Sequence, residues 1–370
     1  MEIQIVSFNV PYPPDYGGVM DVFYKIKALH ELGVNIHLHC YTYGRPLNDE
    51  LSKYCTQVYY YKRNTNFYKH LSALPYIVNS RNSKKLLQQL NKYPFPVLLE
   101  GLHCTYPLYV DRMNVPAIVR THNIEHKYYS GLANTETNVF KKAYFNMEAK
   151  KLVHYEPVLS KARAIAAISP SDTDYFKQYH ANTVCITPFH PFNDVSIHAG
   201  TGKYILIHGD LSVSENVQSV SFLAKEVIPY CSYPFIIAGK NPASALQHQL
   251  NNLSNVKLIS NPDEITMQTL VANAHINVIH SFEPQGLKLK LLHALYKGRF
   301  CICNSPTVYK TGLESLCCLS NTSEEIITSI ETFMHRSFDE TQLEERKQKL
   351  STFSNEAQAK KLYELIRYCS

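Results

Sequence analysis

The sequence predicts an α/β protein of two successive βαβ domains, each a parallel sheet covered by helices. Three observations carry this. Short runs of Ile, Val and Leu alternate with stretches of helical apolar spacing along the chain. That rhythm breaks between about 187 and 202, where prolines and glycines cluster without periodicity. The length, 370 residues at 45% apolar and 18% charged, exceeds one ordinary core and suits two.

Ile3 to Phe8 alternates as a strand, and Pro11-Tyr-Pro-Pro-Asp-Tyr-Gly-Gly18 is a loop because its prolines and paired glycines exclude helix. Val19, Val22, Phe23, Ile26, Leu29 and Leu32 recur at helical spacing, with Gly33 as the stop, and Asn35 to Tyr41 resumes as a strand. A strand–helix–strand opening of this kind implies a parallel sheet. Pro96–Leu99, Pro116–Arg120 and Ala164–Ile168 are the next strands. A long helical stretch from about Glu136 to Ser160 lies before the last of them, and Ser169-Pro-Ser-Asp172 caps the helix after it. Beyond the break the alternation restarts with strands at Tyr204–His208, Phe235–Ala238, Val256–Ile259, Ile276–Ile279 and Phe300–Cys303. Helices at 217–227, 243–250, 265–274 and 287–295 separate them, and Asn355 to Tyr368 is a final amphipathic helix. The domains are therefore 1–190, a linker 191–202, 203–354, and a C-terminal helix 355–370 that either caps the second domain or returns to the first.

Several classes drop out. The first ten residues lack the basic start and long apolar run of a signal peptide, and no stretch approaches the length of a membrane span. The ten cysteines form no CxxC pair, so neither a zinc cage nor a disulfide framework is expected, and the reading is a cytoplasmic protein with reduced thiols. Residues 1–195 carry 21 Lys and Arg against 15 Asp and Glu, whereas 196–370 carry 16 of each. An excess confined to the first half suits an anionic partner there and is also within ordinary surface charge. No recognisable nucleic-acid module accompanies it.

In open parallel sheets, ligands bind beyond the carboxyl ends of the strands, and four loops there hold suggestive residues. Gly17 and Gly18 open the first helix, where backbone N–H groups can approach a phosphate or sugar; a tight turn explains them equally well. Arg120-Thr-His122-Asn123-Ile-Glu125-His concentrates more polar groups than a turn needs, and Glu100 and His103 at the neighbouring strand end extend that wall. In the second half, His208-Gly-Asp-Leu-Ser212 and Glu283-Pro-Gln285-Gly286-Leu287-Lys288-Leu-Lys290 both precede helices. Two lysines in a first turn oppose the helix dipole, which an anion between them would explain; the alternative is simple surface lysines. Neither a Walker A motif nor GxGxxG occurs.

With these motifs in this order, the chain resembles a bacterial family-4 glycosyltransferase of the GT-B fold, in a mannosyltransferase-like subgroup. The residues that carry the likeness are Pro11–Gly18, Leu74-Pro-Tyr-Ile-Val-Asn-Ser-Arg81, Glu100-Gly-Leu-His103 and Val119–His126. In the second half they are His208–Ser212 and Gly286-Leu-Lys-Leu-Lys-Leu-Leu-His-Ala-Leu295. The resemblance implies two Rossmann-like domains facing a cleft, the nucleotide-sugar on the second, the acceptor on the first, and a last helix that crosses back. It implies retaining hexosyl transfer without a metal or other cofactor, from GDP-mannose or a UDP-hexose. By motif, Gly17 and Gly18 would lie near the diphosphate, His122 beside the sugar, and Gly286 to Lys288 on the diphosphate. Glu100, His103, Arg120, Asn123 and Glu125 would face the acceptor. This chain departs from the family in aligning Asp210 with its usual Arg and Glu215 or Asn216 with its usual Lys. Gln285 and His293 stand where paired glutamates are common, or Glu283 takes the sugar-binding role by a shift.

The expected reaction moves a hexose to a saccharide or lipid-linked acceptor in cell-surface polysaccharide synthesis. Lys288, Lys290 and the N–H groups after Gly286 would stabilise the leaving diphosphate, with His122 and Gln285 orienting the sugar. A non-catalytic sugar-nucleotide binder and a nucleotide-sugar epimerase of the same fold are the alternatives. Between Tyr61 and Lys92, Lys62, Arg63, Lys69, Arg81, Lys84 and Lys85 alternate with Phe67, Tyr68, Leu71, Leu74 and Tyr76. Such a segment either docks peripherally on an anionic membrane or buries its apolar members in the core.

Overall fold

The computed structural model describes residues 1–136, 138–284 and 286–369. The chain divides into two compact units, Met1–Pro191 with Phe353–Ser370, and Phe192–Thr352.

The first unit contains β1 Glu2–Ser7, β2 Asn35–Thr42, β3 Gln57–Lys62, β4 Val97–Glu100, β5 Ala117–Arg120, β6 Ala164–Ala167 and β7 Thr183–Cys185. These pair in parallel in the order β3-β2-β1-β4-β5-β6-β7. The second holds β8 Ile205–Asp210, β9 Phe235–Lys240, β10 Val256–Ser260, β11 Ile276–Ile279, β12 Phe300–Cys303 and β13 Cys318–Leu319. Their order is β10-β9-β8-β11-β12-β13, again parallel. β4, β5 and β6 are fully buried and mainly apolar, and β1 is buried from Ile3 on, because helices cover both faces of a parallel sheet. Strand order reverses between β1 and β4 and between β8 and β11, so each unit has a crevice at that point beyond the strand ends.

The helix Gly17–Glu31 packs Val19, Val22, Ile26 and Leu29 onto the first sheet. Ser169 caps the helix Pro170–Phe176 by accepting from the N–H of Asp172 at 3.1 Å. The stretch expected as one helix from Glu136 is arranged differently. A helix Glu125–Thr135 precedes it, Val139–Tyr155 follows, and Glu156–Lys161 tightens to 3-10 geometry where Pro157 lacks the N–H an α-helix needs.

The final helix, Asn355–Cys369, belongs to the first unit, with Ala359, Leu362 and Ile366 in its core. Asn355 exchanges hydrogen bonds with the backbone of His190 at 3.0 and 2.7 Å, and Gln358 accepts from the N–H of Thr187 at 2.8 Å. The segment read as a linker is packed on its second-unit side. Ile197 is buried in the second core, and Gly200 exchanges backbone bonds with Phe338 at 2.8 and 3.0 Å. Among the described residues, no helix is long and apolar enough to cross a membrane.

Candidate functional site

In the first unit, side chains from three elements meet beyond β1, β4 and β5. Asp21 and Lys25 come one turn apart from the first helix, Glu100 from the end of β4, and Arg120 and His122 from the end of β5. Lys25 Nζ donates to Asp21 Oδ2 at 2.9 Å and to both Glu100 oxygens at 2.7 and 2.8 Å. Arg120 donates to Asp21 at 2.8 and 3.1 Å and also to the carbonyls of Ile186 and Thr187. Burial alone would raise both carboxyl pKa values. Arg120 and Lys25 more than offset this at Asp21, and Lys25 and His122 do so at Glu100, so both lie below the ordinary carboxylate range.

This arrangement corrects two readings. Glu100 and Arg120, expected to face an acceptor, are fully buried and engaged with Lys25 and Asp21. The donor atoms of Asp21, Glu100 and His122 lie within 4.8 Å of one another, as metal ligands would. Two buried cations already balance the two carboxylates, so an ion there would enter a site whose charge is satisfied.

His122 stands at the edge of this network. Its Nε2 donates to Glu100 Oε2 at 2.9 Å, and its Nδ1 lies 3.7 Å from Asp21. Phe8 packs between His122 and His103, with ring centroids 5.5 and 5.4 Å away. Gly18 is required beside them, since a Cβ there would fall 2.9 Å from Phe8 Cζ; Gly17 begins the helix and is exposed. His122, His103, Phe8 and Gly18 thus form one wall, while Asn123 is exposed beside it.

Behind His103 lies Glu125, whose Oε1 is 3.8 Å from His103 Nδ1; neither atom has a hydrogen-bond partner among the described residues. Burial, then Glu156, pushes the Glu125 carboxyl up to about 8. Glu156 itself accepts from Tyr175 and Tyr179 at 2.6 and 3.0 Å. A carboxyl whose folded pKa is raised binds more protons folded than unfolded, so stability falls as pH rises through that interval. Glu125→Gln is expected to raise the melting temperature more at about pH 9 than at about pH 5. Parallel melting curves for parent and variant across that range would contradict this.

In the second unit the equivalent crevice gathers His208, Asn216, Lys290 and His293. Lys290 Nζ donates to Asn216 Oδ1 at 2.9 Å, and Asn216 Nδ2 to the carbonyl of Asp210 at 2.9 Å. Burial lowers the Lys290 pKa to about 8, against Glu215, which raises it, and with Lys288, which lowers it further. Burial, with His293 and Lys290, holds His208 well below its usual range, and burial with Lys297 puts His293 at about 4. The rings of these two histidines lie 5.7 Å apart, and their Nε2 atoms are buried with no partner among the described residues. A buried polar atom in that state costs about 1–3 kcal/mol, which a polar ligand can relieve.

The loop after β11 is closed on itself. Ser281 Oγ donates to Glu215 and accepts from the N–H of Glu283 at 3.1 Å, and Lys288 Nζ donates to the Glu283 carbonyl at 2.8 Å. Asn304, at the end of β12, clamps the backbone of Ser281 at 3.1 and 2.7 Å. Gly286, expected to start a helix, has φ +67° and precedes it. Left-handed backbone cannot join a right-handed helix, which runs from Leu289 to Lys297 with Lys288 as its N-cap residue. Leu287 is buried beneath the loop, and Gln285 lies outside the described residues.

Solved structures with a similar fold include proteins described as a glycosyltransferase and a galactosyltransferase. A glycosyltransferase of Rickettsia africae superposes over 100% of this chain and 98% of its own, with TM-score 0.66 and 14% identity. The chain has the GT-B glycosyltransferase fold. Anabaena HepE, solved with UDP and glucose, gives TM-score 0.66 at 13% identity over 99% of both chains. TarM of S. aureus, in a complex containing UDP, gives 0.67 at 11% identity over 99% of this GT-B chain and 100% of its own. In sequence, a Klebsiella pneumoniae protein described as an uncharacterized 44.6 kDa protein in the cps region is 25% identical over 334 residues, 84% of each chain. No protein-family model matches.

Asp21, Lys25, Ser281 and Asn304 shape these crevices and escaped the sequence reading, which noted Glu215 only as standing where the family has a lysine. Asp21 and Lys25 had left a signal. They are a carboxylate and an ammonium four residues apart within an otherwise apolar helical stripe, the pattern of a buried pair.

Proposed function

We propose that this chain is a retaining glycosyltransferase that moves a hexose from a nucleoside-diphosphate sugar to a saccharide or lipid-linked acceptor of a cell-surface polysaccharide. The observation that carries the reading is Lys290. An ammonium in the first turn of a helix opposes the helix dipole, and although this side chain is only half-buried, desolvation has already lowered its pKa. A diphosphate would reverse both penalties. Its ammonium reaches Asn216, one of the two positions where the family resemblance places a lysine, so the missing cation arrives from another element. Asp210, aligned with the family's arginine, is turned into its own loop by accepting from Ser212 N and Oγ at 3.0 and 2.6 Å.

In this reaction the glycosidic bond to the diphosphate breaks as positive charge grows on the sugar, and stabilising the departing diphosphate is the main electrostatic task. Lys290 performs it, helped by Lys288. His208 and His293, neutral at pH 7, supply hydrogen-bonding nitrogens rather than charge. His122, oriented by Glu100, contacts the sugar, and His103 lines the acceptor side, backed by Glu125, which is buried and does not itself face the acceptor. The departing phosphate takes the acceptor's proton, so no protein base is assigned. The cps-region location of the Klebsiella relative supports a polysaccharide role, and the UDP bound by HepE and TarM supports a UDP-hexose as donor, with GDP-mannose the other candidate from the family resemblance.

A thermal-shift panel of UDP- and GDP-sugars tests this reading. A ligand at about 100 times its dissociation constant adds roughly 2.7 kcal/mol, a shift of several degrees for a unit of this size. One nucleotide should stand out, and that donor should be turned over with an oligosaccharide or lipid-linked acceptor. No shift with any sugar nucleotide would overturn the proposal. Binding without transfer or hydrolysis would identify a sugar-nucleotide-binding protein of the same fold.

A further inference from the structure

One surface of the first unit takes no part in either crevice. The 3-10 helix Phe67–Leu71 lies against the helix Val139–Tyr155, held where Lys151 Nζ donates to the carbonyl of His70 at 2.8 Å and where the His70 and Tyr144 rings sit 5.4 Å apart. The N–H of Tyr76 donates to Glu148 at 2.7 Å, extending the same contact. Phe140, Tyr144, Glu148 and Lys151 follow one helical stripe, so Phe140 prolongs the face to which the 3-10 helix is bound. On this joined surface Phe67 is 71% exposed, Tyr68 81%, Leu71 72%, Val139 75% and Phe140 87%. Single exposed hydrophobics are ordinary; five large ones on two contacting elements call for a partner.

Along these two stretches of sequence the charge is mainly positive, although Arg81 is buried and Lys53 is paired with Glu50. Residues 51–99 contain eight Lys and Arg and no Asp or Glu. Lys62, Lys141, Lys142 and Lys150 are exposed. The one acid within the helix, Glu148, is buried and paired with Lys151 at 2.8 Å; Glu136 precedes the helix. We propose that this surface docks the protein on an anionic lipid bilayer, with Phe67, Leu71 and Phe140 entering the interface and the lysines meeting lipid phosphates. The residue types favour lipid over a protein partner. Exposed cations here are lysines, which protein–protein interfaces deplete, and insertion of Phe and Leu among lysines is the pattern of interfacial binding. Of the segment from Tyr61 to Lys92, only its 3-10 helix presents such groups; Leu74 packs against the core, and Tyr76 stacks on the His70 ring at 3.7 Å. The inference stands independently of the proposed reaction.

Co-sedimentation tests it with the intact chain, using vesicles of phosphatidylcholine alone and of equal parts phosphatidylcholine and phosphatidylglycerol. The protein should pellet with the anionic vesicles only, and high salt should release it. Phe67→Ser with Phe140→Ser, and Lys141→Glu with Lys142→Glu, should each weaken binding about tenfold or more while the melting temperature holds, since all four side chains face solvent or lie at the protein's edge. Equal recovery in the supernatant with both vesicle types would overturn the proposal. So would anionic-vesicle binding that both double variants retain, or a protein dimer that the Phe67→Ser/Phe140→Ser variant abolishes, which would make a second copy the occupant.

Discussion

Replacing Arg120 with methionine is expected to remove about 3–5 kcal/mol of stability, the range for breaking a buried ion pair by deleting one partner. The guanidinium is fully buried, binds both oxygens of Asp21 and reaches the carbonyls of Ala167, Ile186 and Thr187. Without it, Asp21 keeps Lys25 and the N–H of Phe189 but loses its bidentate partner. Domains are stable by only about 5–15 kcal/mol, so the loss is a large fraction of the total. Urea unfolding should show the midpoint of the first unit's transition falling steeply. Arg120→Lys is expected to rescue little, because a lysine cannot span carboxylate and carbonyls together. The network also makes the fold acid-labile. Asp21 and Glu100 have pKa values depressed in the folded state, so their contribution is complete above the ordinary carboxylate range and is lost as pH falls through the folded values. An Arg120→Met protein with unchanged stability and a raised acceptor KM would return Arg120 to the acceptor wall.

Lys290→Met is expected to act in the opposite way, lowering donor turnover on the order of a hundredfold, about 3 kcal/mol, without unfolding the second unit. The ammonium is desolvated and its pKa depressed to about 8. Its burial therefore penalises the fold while it is charged, and the penalty is relieved as pH rises from the folded value toward the ordinary lysine range. An apolar side chain of similar length removes that penalty, so the melting temperature should hold or rise while activity falls. Binding of a nucleoside diphosphate should draw a proton onto Lys290 near pH 8, which calorimetry in buffers of different ionisation enthalpy detects; Lys290→Arg should abolish that uptake. Lys288→Ala should weaken binding less, because the Lys288 ammonium is already donated to the Glu283 carbonyl. Wild-type turnover in Lys290→Met would remove Lys290 from the reaction.

Much of the α/β alternation was legible because its signals are local. The Val22–Ile26–Leu29 stripe, the prolines and glycines of 11–18, and the apolar strands β4, β5, β6 and β11 each lie within a window of about ten residues, where periodicity and turn chemistry act. The edge strand β3, Gln57–Lys62, was harder to read, since its run of tyrosines is half-buried and neither face alternates cleanly. Helices Ser323–Met334 and Glu340–Leu350 were not read from the sequence, although their capping boxes, Thr322 with Glu325 and Asp339 with Gln342, offered a local signal.

The sequence alone located most strands to within a residue or two and marked the polar residues near their ends and at the following helix starts: Glu100, Arg120, His122, His208 and Lys290. What each of them is paired with depends on the tertiary structure. Glu100 and Arg120 became structural because the order β3-β2-β1-β4-β5 lays their strand ends beside the first helix. There Lys25 and Asp21, 75 and 99 residues away, neutralise them. Lys290 is unlike them because its helix brings it to Asn216, 74 residues earlier, an amide that accepts a hydrogen bond but offers no counter-charge. Helix and strand formation is governed by neighbours along the chain. The partner of a buried charge is set by which strand ends adjoin, and no local window contains that information.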